Sequence, residues 1–261
     1  MEITDQTTLT KWIKDYVMSY QERKNTETSW REPLIAFADA ADPQFAQLKE
    51  VICSSHTLPT DHIKDAKSII AYFLPYSEQI VYSNLKGIES SRAWDIAVID
   101  AMQLVDDLNE EISHQFTKLG YKSSKIPASC KNDEVTLLCK WSQRHVARIA
   151  GLGKFGIHNL LITEKGCCGE IGTIVTNMPL KPTPKREKEY CIYKVNGGCT
   201  RCVTRCVARA MSTKNGYPYV DLKKCHDQIF NGEVPQYENG EGAACGKCMC
   251  GVPCSTRNPI G

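Results

Sequence analysis

Nine of the fourteen cysteines in the chain, Cys191, Cys199, Cys202, Cys206, Cys225, Cys245, Cys248, Cys250 and Cys254, fall within its final seventy-one residues. Thiolates clustered at two- and three-residue spacings are what a soft metal or an iron–sulfur cluster requires, because short loops then bring several sulfurs within one bond of the metal. A single tetrahedral zinc would take four of the nine and leave five idle. Two four-cysteine sites take eight. In the bacterial ferredoxin run the fourth cysteine ligates the other cluster, and the spacing of Cys199, Cys202 and Cys206 reproduces the end of that run. The partition that follows is interleaved. Cys191, Cys199, Cys202 and Cys254 form one [4Fe–4S] set, and Cys206, Cys225, Cys245 and Cys248 form the other. Cys250, two residues after Cys248, is left over, and Gly251, Val252 and Pro253 make the sharp approach that returns Cys254 to the first set. The rival reading is a pair of zinc-ribbon-like sites, which the C-x2-C pairs also permit.

The remaining cysteines are scattered. Cys53, Cys130 and Cys139 read as small, partly buried hydrophobes. Cys167 and Cys168 are adjacent and cannot join in an ordinary disulfide without strain. They are redox-active thiols, neighbours of a cofactor, or parts of a structural turn. The N-terminal MEITDQTTLTKWIKDYV has no charged-then-apolar leader, so the expected compartment is the reducing cytoplasm, where dense cysteines serve metals more often than disulfides. No stretch approaches the roughly twenty apolar residues that span a bilayer.

The elements that must position these thiols are legible in the periodicity. A chain of 261 residues, 42% hydrophobic and 24% charged, accommodates one substantial core and a smaller appended unit. Its formal charge of +2 gives no argument for a polyanionic partner, so nucleic acid is the weaker expectation. Leu9 to Tyr20 has the three-and-four spacing of an amphipathic helix. Residues 36–42 and 45–52 read as short helical or irregular packing segments around Pro43. Lys67 to Tyr76 is a continuous β-branched and aromatic run ended by Pro75, the pattern of a central strand buried on both faces. Arg92 to Lys118 predicts a long helix stopped at Gly120. Its Asp106, Asp107, Glu110 and Glu111 read as a solvated face rather than metal ligands.

A helix over Trp141 to Ile149, carrying Arg144, His145 and Arg148, precedes Gly151, Gly153 and Gly156. A dinucleotide loop follows a strand and opens a helix; here a helix precedes and the strand-like Leu160 to Thr163 follows, so a Rossmann site is rejected. Glycines at this spacing still let backbone approach a cofactor closely. Leu160 to Thr163 and Ile171 to Thr176 read as two strands flanking a turn like a hairpin. Residues 181–188, KPTPKREK, mark a charged connector. The expected division is therefore residues 1–184, an α/β unit, and 185–261, the cysteine-rich unit.

At this point the chain resembles the double-cluster iron–sulfur proteins related to epoxyqueuosine reductase and, more distantly, the cobalamin-dependent reductive dehalogenases. The likeness rests on Ala150, Gly151 and Gly153 with Gly156, on Leu160 to Ile162, on Thr176 to Leu180, and on the eight cysteines in order, covering roughly Arg148 to Pro259. It implies an α/β (α+β) fold, with a nitroreductase-like domain able to hold cobalamin followed by a bicluster ferredoxin-like domain that feeds it electrons. The chain departs from the family at Ile157 and His158, where Lys-Asn is usual, and at Val207, where proline usually follows the ligand. The acidic proton donor that the tRNA enzymes carry upstream of the glycine loop has no convincing counterpart near Lys125 to Ser129.

The function expected from these readings is a cytoplasmic redox protein, an oxidoreductase with two [4Fe–4S] clusters and, as the resemblance implies, a domain able to hold cobalamin. It passes electrons from a donor such as ferredoxin or flavodoxin to a small-molecule or corrinoid substrate. The expected cofactor-side residues are Gly151, Gly153, Gly156 and His158, the last weighed as an axial ligand, a proton donor, or a packed, hydrogen-bonded side chain. Tyr193 is expected to shield a cluster from water. Two alternatives stand beside this: a non-catalytic electron-transfer partner of a corrinoid or flavin enzyme, and a zinc-stabilised binding module.

Overall fold

The computed structural model describes residues 5–128, 137–214 and 217–261. In chain order the first elements are α1 (Gln6–Met18), α2 (Tyr20–Lys24), β1 (Leu34–Asp39), α3 (Gln44–Val51), α4 (Pro59–His62), β2 (Ser68–Pro75), α5 (Glu78–Ser83), α6 (Arg92–Lys118) and β3 (Ser123–Lys125). They are followed by α7 (Gln143–Ile149), β4 (Gly153–Phe155), β5 (Leu161–Thr163) and β6 (Gly169–Thr176). The cysteine-rich part holds α8 (Ile192–Asn196), α9 (Arg201–Arg205), β7 (Met211–Lys214), β8 (Tyr217–Val220), α10 (Leu222–Phe230), β9 (Gln236–Tyr237) and β10 (Gly240–Glu241).

The main sheet has strand order β1-β2-β6-β3, every pair antiparallel. All eight residues of β2 are buried, as its unbroken apolar run requires of a central strand. Alternation along β2 sends Ile70, Tyr72 and Leu74 to the α1–α6 side and Ile69, Ala71 and Phe73 to the α3–α7 side. The larger core is built on α6, whose Ala97, Ala101, Leu104, Leu108, Ile112 and Phe116 recur at helical spacing and are fully buried. Each of the larger of these side chains contributes about 1.5–3 kcal/mol by leaving water. Ser91 caps the helix by accepting from the Trp94 N–H. Gly120, at φ +80°, ends it, and the Tyr121 N–H returns to the Phe116 carbonyl. Tyr72 locks sheet to helix by donating to Asn109 Oδ1 at 2.9 Å, and Asn109 in turn donates to the Ile126 carbonyl.

Several expectations change here. Residues 36–39 are the edge strand β1 rather than a helical or irregular segment. Ala36, Phe37 and Ala38 are buried in register with β2, and that tertiary pairing prevails over weak local propensity. The hairpin partner of β5 is β4, whereas β6 belongs to the main sheet, so β5 and β6 do not pair with each other. The predicted helix at Leu9–Tyr20 is broken at Ser19 into α1 and α2. Cys139 is disulfide-bonded rather than a free thiol, and Cys130 and Ser129 lie outside the described residues. Among the described residues no helix is long and apolar enough to cross a membrane.

The cysteine-rich part does not stand apart. Cys191, Cys202, Met211, Cys250 and Val252 join the same core as α1 and α6. Asn84 anchors the Cys245–Cys250 loop by donating to the Cys245 carbonyl at 2.8 Å while accepting from the Ser91 N–H. Arg31 spans Tyr76, Thr256 and Lys165 through their carbonyls, tying the C-terminal segment to the turn between β5 and β6.

Candidate metal centres and the adjoining cavity

The cysteine side chains gather into two neighbourhoods. Around Cys202 stand Cys254, Cys191 and Cys199, and together with Ile157, His158, Ile192, Val252, Pro253 and Pro259 these four line one small cavity. No Lys, Arg, Asp or Glu is among its walls. Cys225 neighbours Cys245 and Cys206, and Cys248 neighbours Cys245, Cys225 and Cys206. Burial pushes the Cys202 thiol up to about 12 and raises Cys225, Cys245 and Cys248 as well. Protonated thiols must lose those protons to bind metal, so metal uptake here is favoured as pH rises.

Spacing separates the possible metals. The sulfurs of a tetrahedral zinc site, with Zn–S bonds of about 2.3 Å, lie roughly 3.8 Å apart. Among the described residues the one group of three donors within 4.8 Å of one another is His158, Cys167 and Cys254. A four-iron cube holds its thiolates farther apart, because each sulfur sits on a different iron.

The compact trio has its own explanation. The Leu160 N–H donates to His158 Nδ1 at 3.1 Å, so Nε2 carries the ring proton and faces Cys254 Sγ at 3.6 Å. His158 is thus a buried hydrogen-bond donor to that sulfur. Cys167 also meets Cys254, and the bond between their thiols, followed by burial, raises the Cys254 pKa. Cys168 donates to the Met249 carbonyl at 3.2 Å. Cys250 is fully buried beside Asn84 Nδ2 and Cys168, outside both neighbourhoods.

A cavity of about 800 Å³ opens beside the second neighbourhood. Its walls come from the sheet (Phe73, Glu170, Ile171), from α6 (Trp94, Val98), from α7 (Gln143, Arg144, His145) and from the cysteine loop (Ala244, Cys245, Gly246, Met249). Cys167 reaches it as well. Gly246, at φ +64°, allows the loop to lie on the Trp94 ring; a Cβ there would come within 2.2 Å of the indole. Glu170 is the unusual wall residue. Burial raises its carboxyl to about 7, and it accepts a hydrogen bond from the Ile171 N–H at 3.0 Å. Among the described residues it makes no ion pair. His145 is driven the other way, to about 4, by burial and then by Arg144, so its imidazole is neutral at pH 7.

Gly151 and Gly153 line a different, smaller cleft with Arg148, Lys154, Lys185 and Arg186. Their missing side chains answer to packing: a Cβ on Gly153 would strike the Ile162 carbonyl, and one on Gly156 would strike the His158 ring. The stretch after them, Asn159 to Leu161, is what reaches the large cavity. The acidic residues of α6 hold neighbours rather than a metal. Asp107 accepts from Tyr20 and pairs with Lys24, and Glu110 pairs with Lys125. Glu170 and Lys247 are absent from the sequence reading. A carboxylate opening a β-branched strand and a lysine between two C-x2-C ligands were the available signals.

The fold was compared with solved structures. It matches an epoxyqueuosine reductase bound to an epoxyqueuosine-modified tRNA-Tyr stem loop, with 18% identity and a TM-score of 0.55 over 94% of this chain and 66% of the other. The chain has the epoxyqueuosine reductase fold. The epoxyqueuosine reductase of Bacillus subtilis gives 17% identity, a TM-score of 0.53 and the same coverage. A reductive dehalogenase, for which B12-dependent dehalogenation is described, gives 13% identity and a TM-score of 0.58 over 87% of this chain but 30% of its own. This chain therefore spans about two thirds of the reductases' length. No protein-family model and no curated protein matches the sequence.

Proposed function

We propose that the chain is a double-cluster iron–sulfur oxidoreductase, with one [4Fe–4S] cluster on Cys191, Cys199, Cys202 and Cys254 and the other on Cys206, Cys225, Cys245 and Cys248. The observation that supports this reading is the gathering of eight cysteines, Cys191 and Cys202 buried and the other six half-buried, into two neighbourhoods of four. The cysteine-rich unit, 185–261, then supplies electrons to a site in residues 1–184, and the large cavity is that site. Its position against Cys245 and its volume suit a large organic cofactor such as a corrin. Bound there, cobalamin would supply a metal able to take electrons singly and react with an electrophilic substrate.

The chain's own residues do the rest. Trp94, Phe73, Val98 and Ile171 exclude water from the cavity. Glu170, half protonated near neutrality, holds a proton beside the space a substrate would occupy, and neutral His145 can accept one. His158 donates to the Cys254 sulfur and stabilises it as thiolate. A one-electron donor of the ferredoxin or flavodoxin class fits this scheme. The tRNA stem loop bound by one structural neighbour makes an RNA substrate a candidate that a net charge of +2 does not argue away.

Protein purified anaerobically should carry iron and sulfide for two clusters and show coupled paramagnetic signals on reduction. Colourless protein with stoichiometric zinc ends this reading. A cobalamin titration that leaves the spectrum unchanged assigns the chain instead as an electron-transfer partner.

A further inference from the structure

The two cysteine neighbourhoods differ in the charge built around them. The first is walled by apolar groups, and its polar neighbours are the His158 ring N–H, which faces the Cys254 sulfur, and the Cys167 thiol, which shares a hydrogen bond with Cys254. The second contains Lys247, placed in sequence between Cys245 and Cys248 and only 1% exposed. Its ammonium donates to the carbonyls of Asn84 at 3.2 Å and Lys86 at 2.6 Å, and no carboxylate lies within ion-pair distance among the described residues. Arg144, donating to the Asn159 carbonyl, stands beside Cys225. Arg205 packs on the same loop through the Lys247 and Leu85 carbonyls. The opposing groups are Glu89, which is exposed and screened by water, and Asp95 on α6, which is buried, accepts from the Tyr237 hydroxyl and has its carboxyl raised by burial.

A buried cation stabilises an added negative charge more than a neutral donor does, and cluster potentials follow net charge and hydrogen bonding to sulfur. We propose that Lys247 sets the order of reduction, making the centre on Cys206, Cys225, Cys245 and Cys248 the more readily reduced of the two. That centre is also the one whose Cys245 borders the large cavity. Reduction by a low-potential one-electron donor would then oxidise the donor, and the electron would pass from the Cys191 set, which is reoxidised, to the Cys206 set, which holds it at the cavity wall. Lys247 acts through the cluster as a positioning charge and touches no substrate. The inference rests on the cluster assignment proposed above.

The test is a potentiometric titration of the anaerobic holoprotein followed by paramagnetic resonance, with Cys206→Ser used to assign the signal of its centre. In wild type the centre altered by Cys206→Ser should have the higher midpoint. Lys247→Met should lower that midpoint alone by at least tenfold in the reduction equilibrium, about 59 mV for one electron, while Lys247→Arg retains it. Because Lys247 also anchors its loop, Arg144→Gln supplies a second variant with the same expected direction and a smaller shift. Wild-type protein without iron overturns the cluster reading itself. Two clusters present, with the Cys206 centre the lower or with midpoints unmoved in both variants, overturns this inference and leaves that reading standing.

Discussion

Glu170→Gln should change how stability depends on pH, and the size of the change follows from the burial of one carboxyl. In the unfolded chain this group titrates at its ordinary 4.5; in the folded protein burial raises it to about 7. The folded state therefore holds the proton more tightly, and its stabilising contribution is complete below 4.5 and is lost as pH rises through 7. At 1.36 kcal/mol per tenfold change in proton affinity the full loss is about 3 kcal/mol, of which about 2 kcal/mol falls between pH 5.5 and 8. Water entering the cavity would reduce this. Glutamine keeps the shape and carries no proton to lose, so the variant should gain on wild type as pH rises. Nearby Tyr72 and Tyr76 are held protonated by burial and His145 is neutral, so none of these three titrates in that window. For a protein of this size, 2 kcal/mol is about 4–8 °C in Tm. Anaerobic thermal melts of both proteins across pH 5.5–8 make the comparison. Parallel curves would refute the account of Glu170 as a desolvated acid.

Other expectations can be checked on the same preparations. Cys254→Ala should lose one cluster while Cys250→Ala keeps both, read as iron content, with Cys250→Ala lowering stability by about 1 kcal/mol for a lost buried side chain. Thr28→Val removes the hydroxyl that donates to buried Asp100 Oδ2 at 2.6 Å; leaving that carboxylate short of a partner should cost about 1–3 kcal/mol in a denaturant melt. Gly246→Ala forces a left-handed backbone and a clash with Trp94, and should lower Tm and loosen the cavity wall, seen as a red-shifted indole emission.

What the sequence made legible was whatever depends on one short-range rule. The long helix ends where Ser91 and Gly120 place it, because caps are local chemistry. The central strand declared itself in an unbroken apolar run. The interleaved partition of the eight cysteines was likewise an expectation from spacing, because loop geometry limits which sulfurs can meet. What stayed hidden depends on long-range pairing. Residues 36–39 carry two alanines and gain their strand identity from β2, and β5 chooses β4 only once the turn at Asn159 is formed. Cavity residues were harder still. Glu170 has a raised carboxyl only because the folded chain buries it, and Lys247 is buried with Asn84 and Lys86 presenting carbonyls to it.

The contact between His158 and Cys254 joins residues 96 positions apart, and the Cys167 N–H likewise waits for the Cys254 carbonyl. At a synthesis rate of about 5–20 residues per second, the histidine and the paired thiols emerge from the ribosome roughly 5–20 s before the cysteine they are built to meet. During that interval Cys167 and Cys168, buried in the finished protein, lack the C-terminal segment that covers them. The last cluster-region cysteine to be made therefore completes contacts whose other halves are already present in the chain.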